Sequence, residues 1–258
     1  MLLAIDVGNT DTVIGVFQGE TLAHRWRLST DRRRTSDELA LAFGGFLERA
    51  GLSFSSQITG VCVACVVPPL TQALREMVRS YFHFQPIVVE PGVKTGISIL
   101  YDNPKEVGAD RIANAVAAHA RYGGPVVVVD FGTSTNFDVV SADGEYLGGV
   151  LATGLNVSAD ALFSATARLP RIELTRPKTV IARNTVESLQ AGLIYGTAAM
   201  VDGIVERIRG EVGKATVVAT GGLAEVVVAE CTTVQHLEPW LTLEGLRIVY
   251  ELNASRDE

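Results

Sequence analysis

Cysteine is scarce in this chain: Cys62, Cys65 and Cys231 are the only three thiols in 258 residues. That number excludes a disulfide-stapled scaffold. Cys62 and Cys65 have zinc-knuckle spacing, but no second pair and no spaced histidine pair completes a site. They lie in the apolar run from Gly60 to Val67, where strand residues three apart point to opposite faces. Both read as buried structural thiols. Histidine is equally sparse. His24, His83, His119 and His236 are scattered, which argues against a histidine-built metal centre or a Ser–His relay. Basic charge is short as well: 22 Lys and Arg face 29 Asp and Glu, a net charge of −7. No cationic stripe is present for nucleic acid. The one basic run, Arg32-Arg33-Arg34, is followed at once by Asp37 and Glu38 and reads as a solvated loop. No apolar run approaches the ~20 residues that span a bilayer. The N-terminus has no basic segment, and Asp6 interrupts its apolar stretch, against a signal peptide. The expected compartment is the cytoplasm, with no nucleic-acid or membrane partner.

What is present is a repeat. Leu2 to Val16 contains the strand Leu2-Leu3-Ala4-Ile5, then Asp6-Val7-Gly8-Asn9-Thr10, then a second apolar strand. Val126 to Val140 repeats the plan with Asp130-Phe131-Gly132-Thr133-Ser134-Thr135. The two aspartates are 124 positions apart, close to half the chain. With 47% hydrophobic and 20% charged residues, two packed α/β domains are expected, divided as 1–117 and 118–258. A glycine in each turn permits positive φ and close approach of a ligand. Exposed N–H groups and Thr/Ser hydroxyls there can wrap phosphate oxygens. Each strand-end aspartate offers a hard oxygen for a metal ion.

Between and after the repeats the pattern is legible. Thr35-Ser36-Asp37-Glu38 has capping-box spacing and starts a helix that stops near Gly51. Ile58 to Val67 reads as a buried strand, Leu70 to Tyr81 as a helix and Pro86 to Glu90 as a strand. Gly108-Ala109-Asp110-Arg111 opens a helix that ends at Gly123-Gly124 and links the halves. Further helices are expected over about 158–168, 185–209 and 242–253. The long one carries Gly192, Gly196 and Gly203, each costing up to ~1 kcal/mol, so close backbone packing on another element is expected. Ala215 to Thr220 reads as a strand, broken by Gly221-Gly222 before a short helix. Such a turn can pass under a base or ribose. Two duplicated halves with matching phosphate hairpins resemble the actin-like ATPase architecture, a pair of ribonuclease-H-like domains with the nucleotide in the cleft between them. From the residues alone the chemistry is phosphoryl transfer to a small alcohol or acid. A second kinase of this fold, or a non-catalytic regulator, are the other readings; intact Asp6, Asp110, Asp130 and Thr133 stand against the regulator.

The ordered blocks Asp6-Val7-Gly8-Asn9-Thr10, Pro91 to Gly96, Asp102-Asn103-Pro104 with Gly108-Ala109-Asp110-Arg111, Asp130-Phe131-Gly132-Thr133, Asn184-Thr185 and Thr220-Gly221-Gly222-Leu223-Ala224 narrow this further. Together with Leu241 to Leu246 they resemble the type III pantothenate kinases over nearly the whole chain. The resemblance implies transfer of the ATP γ-phosphoryl group to the primary hydroxyl of pantothenate, the first step toward coenzyme A. It implies ATP and Mg²⁺ contacts from Asp6, Val7, Gly8, Asn9, Thr10, Asp11, Thr12 and Val13, with Asp6 as the Mg²⁺ residue, directly or through water. Thr133 is the ATP contact of the second turn, and Asp130 the ligand of a monovalent cation, K⁺ or NH₄⁺. Tyr101, Gly108, Ala109, Asp110, Arg111 and Thr185 match the pantothenate contacts, and Asp110 the general base. A homodimer is implied as well. For Asp110, a helix N-terminus and the neighbouring Arg111 are expected to favour the ionised carboxylate.

Three departures from the family pattern stand out. Thr133-Ser134-Thr135-Asn136 replaces the commoner Thr-Ala-Thr-Thr. Leu151-Ala152-Thr153-Gly154 replaces Ile-Ala-Pro-Gly, and Ala182-Arg183 precedes Asn184-Thr185 where Gly-Lys is usual.

Overall fold

The computed structural model describes residues 1–54 and 57–254. In chain order the elements are β1 (Leu2–Val7), β2 (Asp11–Gln18), β3 (Thr21–Ser29), α1 (Ser36–Arg49), β4 (Gly60–Cys65), α2 (Pro68–Phe82), β5 (Ile87–Val88), β6 (Ser98–Ile99) and α3 (Ala109–Tyr122). They continue with β7 (Val126–Phe131), β8 (Ser134–Val140), β9 (Glu145–Thr153), α4 (Leu155–Ala165), α5 (Thr185–Val212), β10 (Thr216–Thr220), α6 (Ala224–Val228), β11 (His236–Leu237) and α7 (Leu241–Ala254).

The repeat in the sequence is a repeat in topology. The first sheet runs β3-β2-β1-β4-β5, and the second runs β11-β10-β7-β8-β9-β6. In each, a meander of three antiparallel strands is extended on its first strand by two parallel ones. This is the ribonuclease-H-like plan twice over, with β6 added at one edge. Val7 pairs with Thr12 across the first turn, and Phe131 with Thr135 across the second.

Each sheet has its own core. Leu3, Ile5 and Val7 alternate onto one face of β1, with Ile14 and Val16 beside them. They meet Leu39, Phe43 and Leu47 of α1 and Leu70, Leu74 and Met77 of α2. In the second sheet Val127, Val129 and Phe131 cluster with Ile194, Ala198, Val201 and Val205 of α5. Burying each such side chain contributes ~1.5–3 kcal/mol. Local signals act as expected. Thr35 accepts from the Glu38 N–H while Glu38 reaches back to the Thr35 N–H, a complete capping box. The helix α2 starts two residues before the expected Leu70, at Pro68, whose missing N–H costs nothing there.

The compact units are not the contiguous halves 1–117 and 118–258. Met1–Ser98, Asp102–Ala117 and the segment from Leu241 form one; Ile99–Tyr101 and Ala118–Trp240 form the other. Positions 255–258 lie outside the described residues. The return of α7 has a packing cause. Gly245 lies so close to Ala113 of α3 that a Cβ would overlap the Ala113 carbonyl, and Leu243 covers Gly15 of β2. The Thr242 hydroxyl and Asn114 Oδ1 are 2.8 Å apart, a hydrogen bond at fully buried Asn114.

Two further expectations are corrected. Gly192 and Gly196 of α5 are exposed with nothing within 4 Å of an added Cβ, and Gly203 meets only the Arg207 guanidinium. Among the described residues no second element presses on those glycines. The thiol of Cys62 is fully buried and pushed up to about 12 by that burial, as an inert structural thiol should be. Cys65 is half-buried instead, its thiol donating to the Val67 carbonyl at 3.2 Å.

Candidate active site

The first phosphate turn leaves the C-terminal end of β1. Gly8 N–H donates to the Asp11 carbonyl at 2.9 Å, closing the hairpin and leaving Asn9 and Thr10 exposed at its tip. A Cβ at Gly8 would stand 3.1 Å from the Asp11 carbonyl oxygen, tighter than ordinary contact. Neither Gly8 nor Gly132 has a positive φ, so neither turn uses glycine for a left-handed backbone. The eight residues expected around ATP divide into two groups. Asp6, Val7, Gly8, Asn9 and Thr10 form the strand end and tip. The Thr12 hydroxyl is buried and 2.9 Å from the Thr30 hydroxyl, while Asp11 pairs with Arg27 at 3.1 Å and Val13 lies in the β2–β3 ladder. Those side chains brace the hairpin. Thr30, which the sequence pattern did not single out, braces this turn, and Arg32, read from the sequence as part of a solvated loop, reaches Asn9 Oδ1 at 3.4 Å.

The second turn is braced differently. Gly132 N–H donates to the Ser134 carbonyl at 3.0 Å, leaving Gly132 and Thr133 exposed. Gly154 packs against it so closely that a Cβ would overlap the carbonyl oxygens of Thr133 and Gly132. That explains a glycine at the N-cap of α4, where no side-chain cap exists. Gly221 does take the left-handed backbone, φ +97°, and a Cβ there would stand 2.5 Å from Asp130 Oδ1 and 2.6 Å from the Phe131 nitrogen. The strand–Gly-Gly–helix turn therefore lies directly on the strand-end aspartate. Of the departures, Ser134 and Asn136 form one unit: the Ser134 hydroxyl and Asn136 Oδ1 are 2.7 Å apart. Asn136 also sits opposite Asp130 in the β7–β8 ladder.

Asp110 lies in the first turn of α3. The Arg111 N–H donates to Asp110 Oδ1 at 2.9 Å, and a side chain on Gly108 would overlap that same carboxylate oxygen. Ala109 and Arg111 on either side are buried. Burial pushes the Asp110 carboxyl above the usual carboxylate range, against the Arg111 N–H and the Arg111 charge. The direction expected from the sequence is thus reversed, because burial outweighs the helix start and the cation. Val66 joins Asp110's turn to the first phosphate turn. Its N–H donates to the Val7 carbonyl at 3.0 Å, and its methyl is 3.6 Å from where a Gly108 Cβ would be. Residues a hundred positions apart so converge at the C-terminal ends of β1 and β4, where ligands bind in open α/β sheets.

In the second unit Tyr101, Asp130, Thr133 and Thr185 are the expected site residues. Tyr101 is half-buried against Tyr146, their ring centroids 6.4 Å apart. Thr185 is the exposed first residue of α5, after Asn184, whose side chain accepts from the Glu187 N–H at 2.9 Å. Among the described residues no group of three or more His, Cys, Asp or Glu could hold a metal ion. Among the described residues no helix is long and apolar enough to cross a membrane. A single strand-end carboxylate such as Asp6 or Asp130 suits an ion that keeps most of its waters.

A sheet plan of this kind, duplicated, is also the fold of a known kinase. The inorganic polyphosphate/ATP-glucomannokinase of Arthrobacter sp. strain KM matches with a TM-score of 0.51 at 15% identity, covering 99% of each chain. That likeness is one of fold, the actin-like ATPase fold. The family model of type III pantothenate kinase matches residues 2–207. The type III pantothenate kinase of Acidothermus cellulolyticus is 54% identical over 98% of this chain and 99% of its own. That of Frankia alni is 56% identical over 98% and 100%. This chain belongs to the type III pantothenate kinase family.

Proposed function

We propose that the protein transfers the γ-phosphoryl group of ATP to the primary hydroxyl of pantothenate, giving 4′-phosphopantothenate, in the cytoplasm. More than half the residues are shared with full-length pantothenate kinases. The observation that carries the reading is the Gly108–Asp110–Arg111 turn, a carboxylate held in place beside the first phosphate turn. In this reading Asn9 and Thr10 at the tip of the first turn and Thr133 in the second bind ATP phosphates, with Gly8 closing the first turn. Tyr101, Gly108, Ala109, Arg111 and Thr185 hold pantothenate, and Asp110 accepts the hydroxyl proton as the phosphoryl group arrives. Its raised proton affinity improves it as a base near neutral pH. Phosphoryl transfer depends chiefly on positioning and charge, so the rigid turns matter as much as the base.

The donor sets fit the ions proposed with them. Asp6 with waters suits Mg²⁺, and Asp130 is the residue proposed to hold K⁺ or NH₄⁺. Bound there, these ions would offset phosphate charge. A homodimer completes the proposal, supported by the exposed Gly192 and Gly196 of α5, where among the described residues nothing lies within 4 Å of an added Cβ. Light scattering at micromolar concentration should give twice 27.5 kDa. The deciding experiment is coupled ADP release with ATP and Mg²⁺. Turnover is expected with pantothenate and not with sugars or acetate; turnover with none of them would overturn the reading.

A further inference from the structure

Asp138 and Tyr146 are both completely buried, and the Tyr146 hydroxyl donates to Asp138 Oδ1 at 2.7 Å. A carboxylate inside a sheet is costly, and an apolar pair of similar volume is often as stable or more so. The chain also spends a backbone irregularity on the arrangement. Asp138 pairs with Gly149 and Val139 with Gly148, but Val140 pairs with Tyr146, so one extra residue, Leu147, is accommodated on β9. A ladder without that bulge would pair Val140 with Leu147 and turn Tyr146 to the face away from Asp138. The bulge brings phenol and carboxylate to one face and leaves Leu147 partly exposed.

The beneficiary is Tyr101. Its ring leans on the Tyr146 ring, centroids 6.4 Å apart and planes at 56°. The preceding N–H, that of Leu100, donates to the Tyr146 carbonyl at 2.9 Å. The other side of the seat is Gly148, at φ +121°, whose missing Cβ would lie 3.5 Å from the Tyr101 ring. Tyr146 thus grips residues 100–101 by backbone and ring, and Asp138 holds Tyr146.

We infer that Asp138 and Tyr146 are a positioning pair that sets Tyr101 for the acceptor substrate. The inference rests on the proposed role of Tyr101 as a pantothenate contact. It requires that losing the buried hydrogen bond loosens the Tyr101 seat while leaving both phosphate turns intact.

The test is steady-state kinetics of the full chain with ATP, Mg²⁺ and pantothenate, for wild type, Tyr146→Phe, Tyr101→Ala and the double variant. Tyr146→Phe should raise the pantothenate KM roughly five- to tenfold while the ATP KM stays within about twofold. Adding it to Tyr101→Ala should change nothing further, since the group it positions is gone. Equal rises in both KM values overturn the inference, as does an undiminished effect in the Tyr101→Ala background; either makes the pair a stabiliser of the sheet only. An unchanged pantothenate KM in Tyr101→Ala alone refutes the underlying Tyr101 role, a distinct result. If Tyr146→Phe does not fold, Asp138→Asn keeps an oxygen to accept the phenol and carries the comparison: a smaller but still pantothenate-selective KM rise supports the pair, and no selective rise overturns it.

Discussion

Asp110 Oδ1 occupies the space that a Cβ on Gly108 would fill. The relationship makes one glycine a condition for the placement of one carboxylate. The Arg111 N–H fixes the same oxygen from the other side.

Gly108→Ala should therefore displace the Asp110 carboxylate. Gly108 has no positive φ, so the alanine brings no backbone strain of its own. Misplacing a reacting group by about an ångström can cost ~10²-fold. Steady-state kinetics should show kcat falling by that order with a small change in ATP KM. Wild-type kcat in this variant would mean that the position of Asp110 is not critical.

Asp110→Asn keeps the shape but cannot take a proton, and kcat should fall by ~10²–10⁴-fold. Because burial raises the Asp110 pKa, the acid limb of the wild-type rate profile should lie above the ordinary carboxylate range and vanish in the variant. Stability carries the same sign. The folded state binds this proton more tightly than the unfolded chain does, so that stabilisation is complete at low pH and is lost as pH rises through the folded pKa. Above that window the variant should melt no lower than wild type; a clear drop in Tm would assign Asp110 to helix stability instead.

Rates should be higher in K⁺ or NH₄⁺ than in Na⁺ alone, and Gly221→Ala should blunt that difference. Its Cβ would press on Asp130 Oδ1 and the Phe131 nitrogen, and its φ of +97° strains any side-chain-bearing residue by ~1–3 kcal/mol. Activity titrated with each cation tests both statements. Equal rates in all three salts for the wild type would remove Asp130 from cation binding.

Asp202 of α5 accepts from the N–H and hydroxyl groups of both Thr232 and Thr233, at 2.7 to 3.0 Å. Partial burial pushes its carboxyl up, but these hydrogen bonds outweigh it and hold the pKa below the usual range. Asp202→Ala should cost about 1–2 kcal/mol after discounting for solvent screening, a Tm drop of a few degrees. The stabilisation is present above the ordinary carboxylate range and lost as pH falls through the depressed pKa. The difference in Tm between wild type and variant should shrink at acid pH; a constant difference would show that the charge of Asp202 plays no part.

What the sequence by itself determined is what depends on neighbours in the chain. The Asp-x-Gly turns and the Thr35–Glu38 box act over a few residues, so pattern alone placed them. Duplicated turns 124 positions apart made the duplicated sheets readable, and the ordered motifs made the family readable. Tertiary structure decided what depends on residues distant in sequence. The sign of the Asp110 shift turned on burial, which no helix-start rule contains. The return of α7 to the first unit turned on Gly245 meeting Ala113. Thr12 belongs to the hairpin brace because Thr30 stands 2.9 Å away, and Gly221 matters because Asp130 lies under it. Short-range signals are written in spacing. Desolvation and close packing are sums over neighbours that only the folded chain assembles.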